Sequence, residues 1–396
     1  MRRSILIFAI VAFASGVAQA NYIGQYEMDN QNKNFQRSWS EKLEWRFDKL
    51  PTSGGVPDNR IPYAGAIYPD NGGGTVNALW KYDRAFNRGN GRATAFERWD
   101  MSAHKVRHTV RVGLFGRAIT RYRIPYWAGH CNGWTAAALR HAEPKKNVTH
   151  NGVVFTPGDV KALLAELYVY NENELLGGES EYIVNAGTFH VVLTNWLGRK
   201  SYGIGMESSP GKEVWNYPMY KYRTKIVKHS NRQVEVQMWV DYKMYTDREY
   251  IKAPENKKTK YFHYSLNLND KGQVIGGYFY RDSSQLDLLW VTHKPMQGGS
   301  KGNKRGNPHM KVEHVIQLWR DSVDEEAHKW VNIDPIGGQR KMDLAAKAKR
   351  EAELAAKAKR EAELAARKAA AEAAAAAEEA TSTGAGTVAV DGDGSE

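Results

Sequence analysis

The stretch YWAGHCNGWTAAALRHAEP, residues 126–144, holds the only cysteine of the 396-residue chain and decides how the fold is read. Gly129 and Gly133 bracket a turn, Trp134 to His141 reads as a short alanine-rich helix, and Pro144 ends it. Cys131 therefore falls at or just before a helix N-terminus. The unpaired N–H groups and the positive dipole end found there favour a thiolate and depress its pKa. The same N–H groups suit the oxyanion of an acyl intermediate. A lone cysteine is often only a small buried hydrophobe. The glycines, the aromatics and the helix start around this one favour a nucleophile.

A thiolate nucleophile needs a base. His190 lies in NAGTFHVVLTNWLG, residues 185–198, where Thr188 to Trp196 reads as a β-strand with Val191, Val192 and Leu193 buried beside the imidazole. His130 competes, but adjacent residues seldom present their side chains to each other. The next strand, Ser201 to Ser208, carries Glu207. A tight turn through Leu197, Gly198, Arg199 and Lys200 would set Glu207 beside His190 to hold the imidazole in one tautomer. Asn195 and Asp287 are the alternatives for that role. Cysteine, histidine and acid, on helix, strand and strand, is the arrangement of papain-like and transglutaminase-like thiol enzymes. The expected fold is therefore α+β, a papain/transglutaminase-like core with the nucleophile at a helix N-terminus packed on an antiparallel sheet.

Around this centre the chain divides by composition. Arg2 and Arg3 precede an apolar run, Ile5 to Val17, and Ala18-Gln19-Ala20 is a small-x-small cleavage site. Residues 1–20 thus read as a signal peptide, too short for a membrane span, and the mature chain is expected to be exported, periplasmic or secreted. Residues 21–340 read as the catalytic domain. They open with a polar region rich in Tyr, Trp and Gly, punctuated at Thr52 to Gly55 and Asp70 to Gly74. Residues 296–308, MQGGSKGNKRGNP, read as a flexible basic loop, and Val312 to Trp319 as one strand. From Lys341 the sequence AAKAKREAEL stands at 345–354 and recurs at 355–364. Its strong helix formers and its i,i+4 pairs, Glu353 to Lys357 and Glu363 to Arg367, predict a solvated helix over 341–380. Leu344, Leu354 and Leu364 drift around such a helix and make no coiled-coil seam. This spacer is a candidate contact for a cell-envelope partner. Residues 381–396 read as a disordered tail.

The net charge is +12, and it resides in residues 21–340. A moderately basic exported domain suits an acidic surface or an acidic protein substrate. The basic residues are scattered, and export removes the usual nucleic-acid targets. No intramolecular disulfide forms from one cysteine.

Five blocks in order carry a resemblance to a known family. VWNYPMYKY, residues 214–222, is similar to the VWNQPV-type segment of the oomycete elicitor-type transglutaminases and their bacterial relatives. GHCNGW around Cys131 resembles that family's GxCHxW pattern, with Asn132 where a histidine is usual. FTPGDVKALL at 155–164, GTFHVVLTNWLG at 187–198 and GQVIGGYFYRDSSQLDLLW at 272–290 resemble further family segments. Tyr217 in place of glutamine and Glu207 in place of the expected acid are departures. The resemblance implies a protein-glutamine γ-glutamyltransferase. Cys131 would attack a glutamine carboxamide, His190 would shuttle protons, Glu207 would orient it, and a lysine amine would take the acyl group. Trp127 and Trp134 would exclude water. The same machinery run with water would be a cysteine peptidase or amidase on envelope peptides. A non-catalytic envelope binding protein is the third reading, which loss of Cys131 or His190 would have signalled. No cofactor is required by the sequence. His104 and His108 lack the glutamate of a zinc-protease helix, and no EF-hand loop is present, so the resemblance alone leaves calcium open.

Overall fold

The computed structural model describes residues 22–112, 116–178, 183–208, 210–246, 256–332 and 352–368. The chain divides into two units, Met1–Gly337 and Gly338–Glu396. The signal segment and the 381–396 tail lie outside the described residues.

In chain order the first unit carries α1 (Gln25–Trp39), β1 (Ser53–Gly55), α2 (Val76–Phe86), α3 (Arg92–Ala103), β2 (Val106–Val112) and β3 (Arg117–Arg123). Then follow α4 (Cys131–Arg140), β4 (Val148–His150), β5 (Val153–Phe155), α5 (Pro157–Tyr168), β6 (Asn173–Gly178) and α6 (Ala186–Leu193). The remaining elements are β7 (Ile204–Glu207), β8 (Asn216–Lys228), β9 (Gln233–Lys243), β10 (Lys257–Leu268), β11 (Val274–Phe279), β12 (Leu288–Thr292) and α7 (Val312–Ser322). Helices pack on one antiparallel sheet of order β11-β10-β9-β8-β7-β12-β6, with β1 also paired to β8. The α+β expectation holds.

The long strands follow from strict alternation. In β9, Val234, Val236, Met238 and Val240 are buried while their neighbours are half-buried. Helix α5 starts where its sequence says it should. Pro157 occupies the first turn, and Thr156 and Asp159 form a reciprocal capping box, with the Thr156 N–H donating to Asp159 Oδ2 at 2.7 Å. Helix α4 packs against α5 and against β8, β7 and β12, which sets the cysteine-bearing helix across the middle of the sheet. Gly133 permits the α4–α5 approach, because a Cβ there would run into the Ala165 carbonyl.

Three local readings are corrected. Thr188 to Trp196 is not a strand. Asn185 caps a helix by accepting from the Gly187 N–H at 2.8 Å, and α6 runs into a π-helical turn at Thr194–Arg199. Every residue of α6 is buried, so no polar face marks the helical period, and its β-branched residues mimic a strand. Val312 to Trp319 is likewise helical. Val315, Leu318, Trp319 and Ser322 are buried at helical spacing, and burial of that stripe overrides the β-propensity of Val and Ile. Residues 296–308 are not a loose loop. Asn303 donates to the Met296 carbonyl at 2.8 Å, and Asn307 to the Ala93 carbonyl at 3.0 Å, with both asparagines buried.

In the second unit, residues 352–368 form a helix that is exposed along its whole length. Lys357 and Glu361 approach to 3.8 Å. The other parts of the 341–380 span lie outside the described residues. Among the described residues no helix is long and apolar enough to cross a membrane.

Candidate active site

Cys131 is the first residue of α4, with His130 as its N-cap. Gly129, just before, lies so close to the 67–69 segment that a Cβ would sit 2.7 Å from the Ile67 carbonyl. The His130 N–H donates to that carbonyl at 2.6 Å, which fixes the entry to the helix. Cys131 is 6% exposed and lines an open pocket of about 470 Å³ together with His104, Lys105, Trp127, Tyr170 and Asn216. Trp127 is thus a pocket wall. Trp134 is core: it is 1% exposed and donates to the Tyr63 carbonyl at 3.3 Å.

The thiol has two polar partners, one from the sheet and one from the segment just before it. Asn216 Nδ2 donates to Cys131 Sγ at 3.7 Å, and Sγ lies 3.6 Å from the Val214 carbonyl. Asn216 Oδ1 accepts from Trp290 Nε1 at 2.8 Å, so the amide is held with its NH₂ toward sulfur. Strands β7, β8 and β12 supply this arrangement. Glu207 pairs directly with Asn216 across the β7–β8 ladder, and paired residues place their side chains side by side on one face. Glu207 is buried, and Oε1 has no hydrogen-bond partner. Burial, with the nearby Asp287 charge, pushes its pKa up to about 7.

The expected depression of the thiol pKa is not what the site produces. Burial pushes the Cys131 thiol upward, and the Glu207 charge adds to that. Hydrogen bonds from Asn216 and from the Asn132 backbone pull the other way without overcoming burial. If Asn216 Nδ2 holds the sulfur, Asn216→Ala is expected to move the pH profile of iodoacetamide alkylation of Cys131 to higher pH. An unchanged profile would show that the amide does not touch the thiol.

His190 lies elsewhere in the packing. Its Nδ1 is 2.8 Å from Tyr264 Oη, and its ring stacks on Phe47 with centroids 5.6 Å apart. Burial drives its pKa down to about 3, so the ring is neutral. Helix α6 packs on β11, β10 and β6, whereas α4 packs on β8, β7 and β12. Among the described contacts none joins His190 to Cys131 or to Glu207. The hairpin expected to bring His190 and Glu207 together does not exist, because the intervening segment is a helix. Asn195 is committed to the backbone, donating to the Glu44 carbonyl at 3.0 Å and the Val191 carbonyl at 2.8 Å. Asp287 is buried, and its charge acts on Glu207.

A second polar cluster lies under the same helix start and is invisible in the sequence. His130 Nε2 is 3.4 Å from Glu97 Oε1 and 3.8 Å from Asp70 Oδ1, and its Nδ1 is 3.5 Å from Glu166 Oε2. Asp70 Oδ2 meets His104 Nδ1 at 2.6 Å, and His104 Nε2 meets Tyr170 Oη at 3.0 Å on the pocket wall. Separate segments supply these residues, so no spacing motif announces them.

The model of the transglutaminase elicitor family matches residues 100–176 and 176–253. Over these residues the chain is similar to the transglutaminase elicitor family. The match covers Cys131, His190, Glu207 and Asn216. In structure the chain is similar to the GP42 transglutaminase from Phytophthora sojae, with a TM-score of 0.60 at 22% identity, over 76% of this chain and 98% of that one. At that identity the likeness speaks for the fold, a transglutaminase-like one. No curated protein matches the chain.

Proposed function

We propose that the chain is a protein-glutamine γ-glutamyltransferase acting through a Cys131 thioester. The observation that carries this reading is the placement of the lone thiol. It sits at a helix start on an open pocket, against a tethered amide, within the span matched to the family. Cys131 Sγ attacks the carboxamide carbon of a substrate glutamine, and the thiol proton passes to the Glu207 carboxylate. The N–H groups of the first turn of α4 hold the oxyanion. The proton then leaves with ammonia. A lysine amine attacks the thioester, gives its proton to Glu207, and the expelled thiolate recovers a proton. A carboxyl with a pKa of about 7 suits both directions of transfer at neutral pH. The order of cysteine, histidine and acid expected from the sequence would instead give the proton to His190, and the Glu207→Gln and His190→Gln variants separate the two assignments.

The basic N-terminus, apolar run and small-x-small site support export, so the substrates are proteins outside the cytoplasm that carry glutamine and lysine. The assay is incubation of the mature chain with a glutamine-rich protein and a fluorescent amine. Ammonia release with matching covalent incorporation of the amine is expected. Ammonia release without incorporation would favour the amidase reading.

The tail from Lys341 lies beyond every residue assigned to the chemistry. A chain truncated after Gln339 is expected to keep its kcat. A large loss in a folded truncation would mean that the helix serves the catalytic domain and is more than a spacer for an envelope partner.

A further inference from the structure

We propose that Asp70, Glu97 and His130 form a binding site for one first-row transition-metal dication beneath the nucleophile helix. The three residues offer one ligand atom each, all within 4.8 Å of one another, and all three side chains are buried. The separations are wrong for hydrogen bonds. A charged imidazole–carboxylate bond spans about 2.7–2.9 Å, and the other oxygen of Asp70 makes a short one of 2.6 Å to His104. From His130 Nε2 the carboxylates stand at 3.4 and 3.8 Å. The 3.4 Å separation is the edge of a coordination tetrahedron, because ligands about 2.1 Å from a metal lie about 3.4 Å apart, and the 3.8 Å separation is somewhat wider.

A buried, unpartnered oxygen aimed into the cluster supports a missing ligand. Asp70 Oδ1 and His130 Nδ1 have no hydrogen-bond partner. Asp70 Oδ1 points into the cluster. His130 Nδ1 faces Glu166 Oε2 at 3.5 Å, the outer carboxylate that metal-bound imidazoles use to fix their tautomer. His104 serves Asp70 in the same way from the other side. Glu166 is itself anchored by Thr75 Oγ1 at 2.8 Å. Several carboxylates buried together are costly without a compensating cation. An imidazole with two carboxylates is a donor set for zinc or manganese, since calcium takes oxygen ligands. The ligands come from the loop at 70, from α3 and from the N-cap of α4. A bound ion would tie these segments together and fix the residue immediately before Cys131. This inference does not depend on the reaction assigned to the thiol.

The test uses the full chain, stripped with chelator and then titrated with zinc, and separately with calcium, by calorimetry and thermal melting. It is run after alkylation of Cys131, so that the thiol cannot supply a ligand. One zinc per chain and a raised Tm are expected. Glu97→Gln should abolish binding. Glu166→Gln, which leaves all three ligands in place, should weaken affinity by about 10- to 100-fold at unchanged stoichiometry. If Glu97→Gln fails to fold, the Glu166→Gln titration still decides. Absence of zinc binding with an unmoved Tm would overturn the site. So would binding that survives Glu97→Gln or is indifferent to Glu166→Gln, and so would binding of calcium alone.

Discussion

Replacing Cys131 with alanine is expected to lower amine incorporation by at least about 10³-fold, with circular dichroism and Tm close to wild type. The size of the effect follows from covalent catalysis. Without sulfur no thioester forms, and the remaining oxyanion donors only help water attack. The fold should survive because α4 is anchored by other residues. Trp134, Ala136, Ala137 and Ala138 are buried along its length, and the His130 N–H holds its entry. The readout is incorporation of a fluorescent amine at saturating glutamine donor. Substantial incorporation by Cys131→Ala would remove the thiol from the mechanism and point to a binding protein on a transglutaminase-like fold.

Glu207→Gln is expected to lower kcat/KM by about 10²- to 10⁴-fold, the usual range for loss of a positioned acid–base group. It should also act in opposite directions on activity and on stability. In the wild type kcat/KM should rise as pH passes through about 7, where Glu207 ionises, and the variant should lose that limb. Stability follows from the sign of the shift. The folded pKa is raised, from 4.5 to about 7, so the contribution of Glu207 is fully present below pH 4.5 and is lost as pH rises through about 7. Glutamine stays neutral throughout. The variant should therefore gain Tm relative to wild type at pH 8 and not at pH 4. A Glu207→Gln enzyme with a wild-type rate, beside an inactive but folded His190→Gln, would return the proton transfers to His190. If both retain activity, neither assignment stands.

The cysteine-bearing helix is legible in the sequence because its signals are local: a glycine before it, alanines within it and a proline beyond it. The antiparallel sheet is legible for the same reason, since strands such as β9 alternate cleanly. The segment around His190 reads as a strand because α6 is buried on all sides, which erases the periodicity that separates helix from strand. Only Asn185, the cap, carries the correct signal. The 312–322 helix is recoverable, since Val312, Val315, Ile316 and Trp319 recur at helical spacing. Asn216 stands in the VWNYP segment, yet its role needs Trp290 to hold its oxygen, and that contact exists only once β7, β8 and β12 assemble. Asp70, Glu97 and His130 lie far apart in sequence. Nothing in any one segment foretells their meeting under α4.

A thiol pushed upward in pKa has a consequence for how such a protein endures. Peroxide attack, mixed-disulfide formation and glutathione capping all proceed through the thiolate, and a buried, protonated sulfur presents little of it. The resting molecule thus keeps its one cysteine chemically silent toward oxidants. It needs no partner cysteine to cap that sulfur.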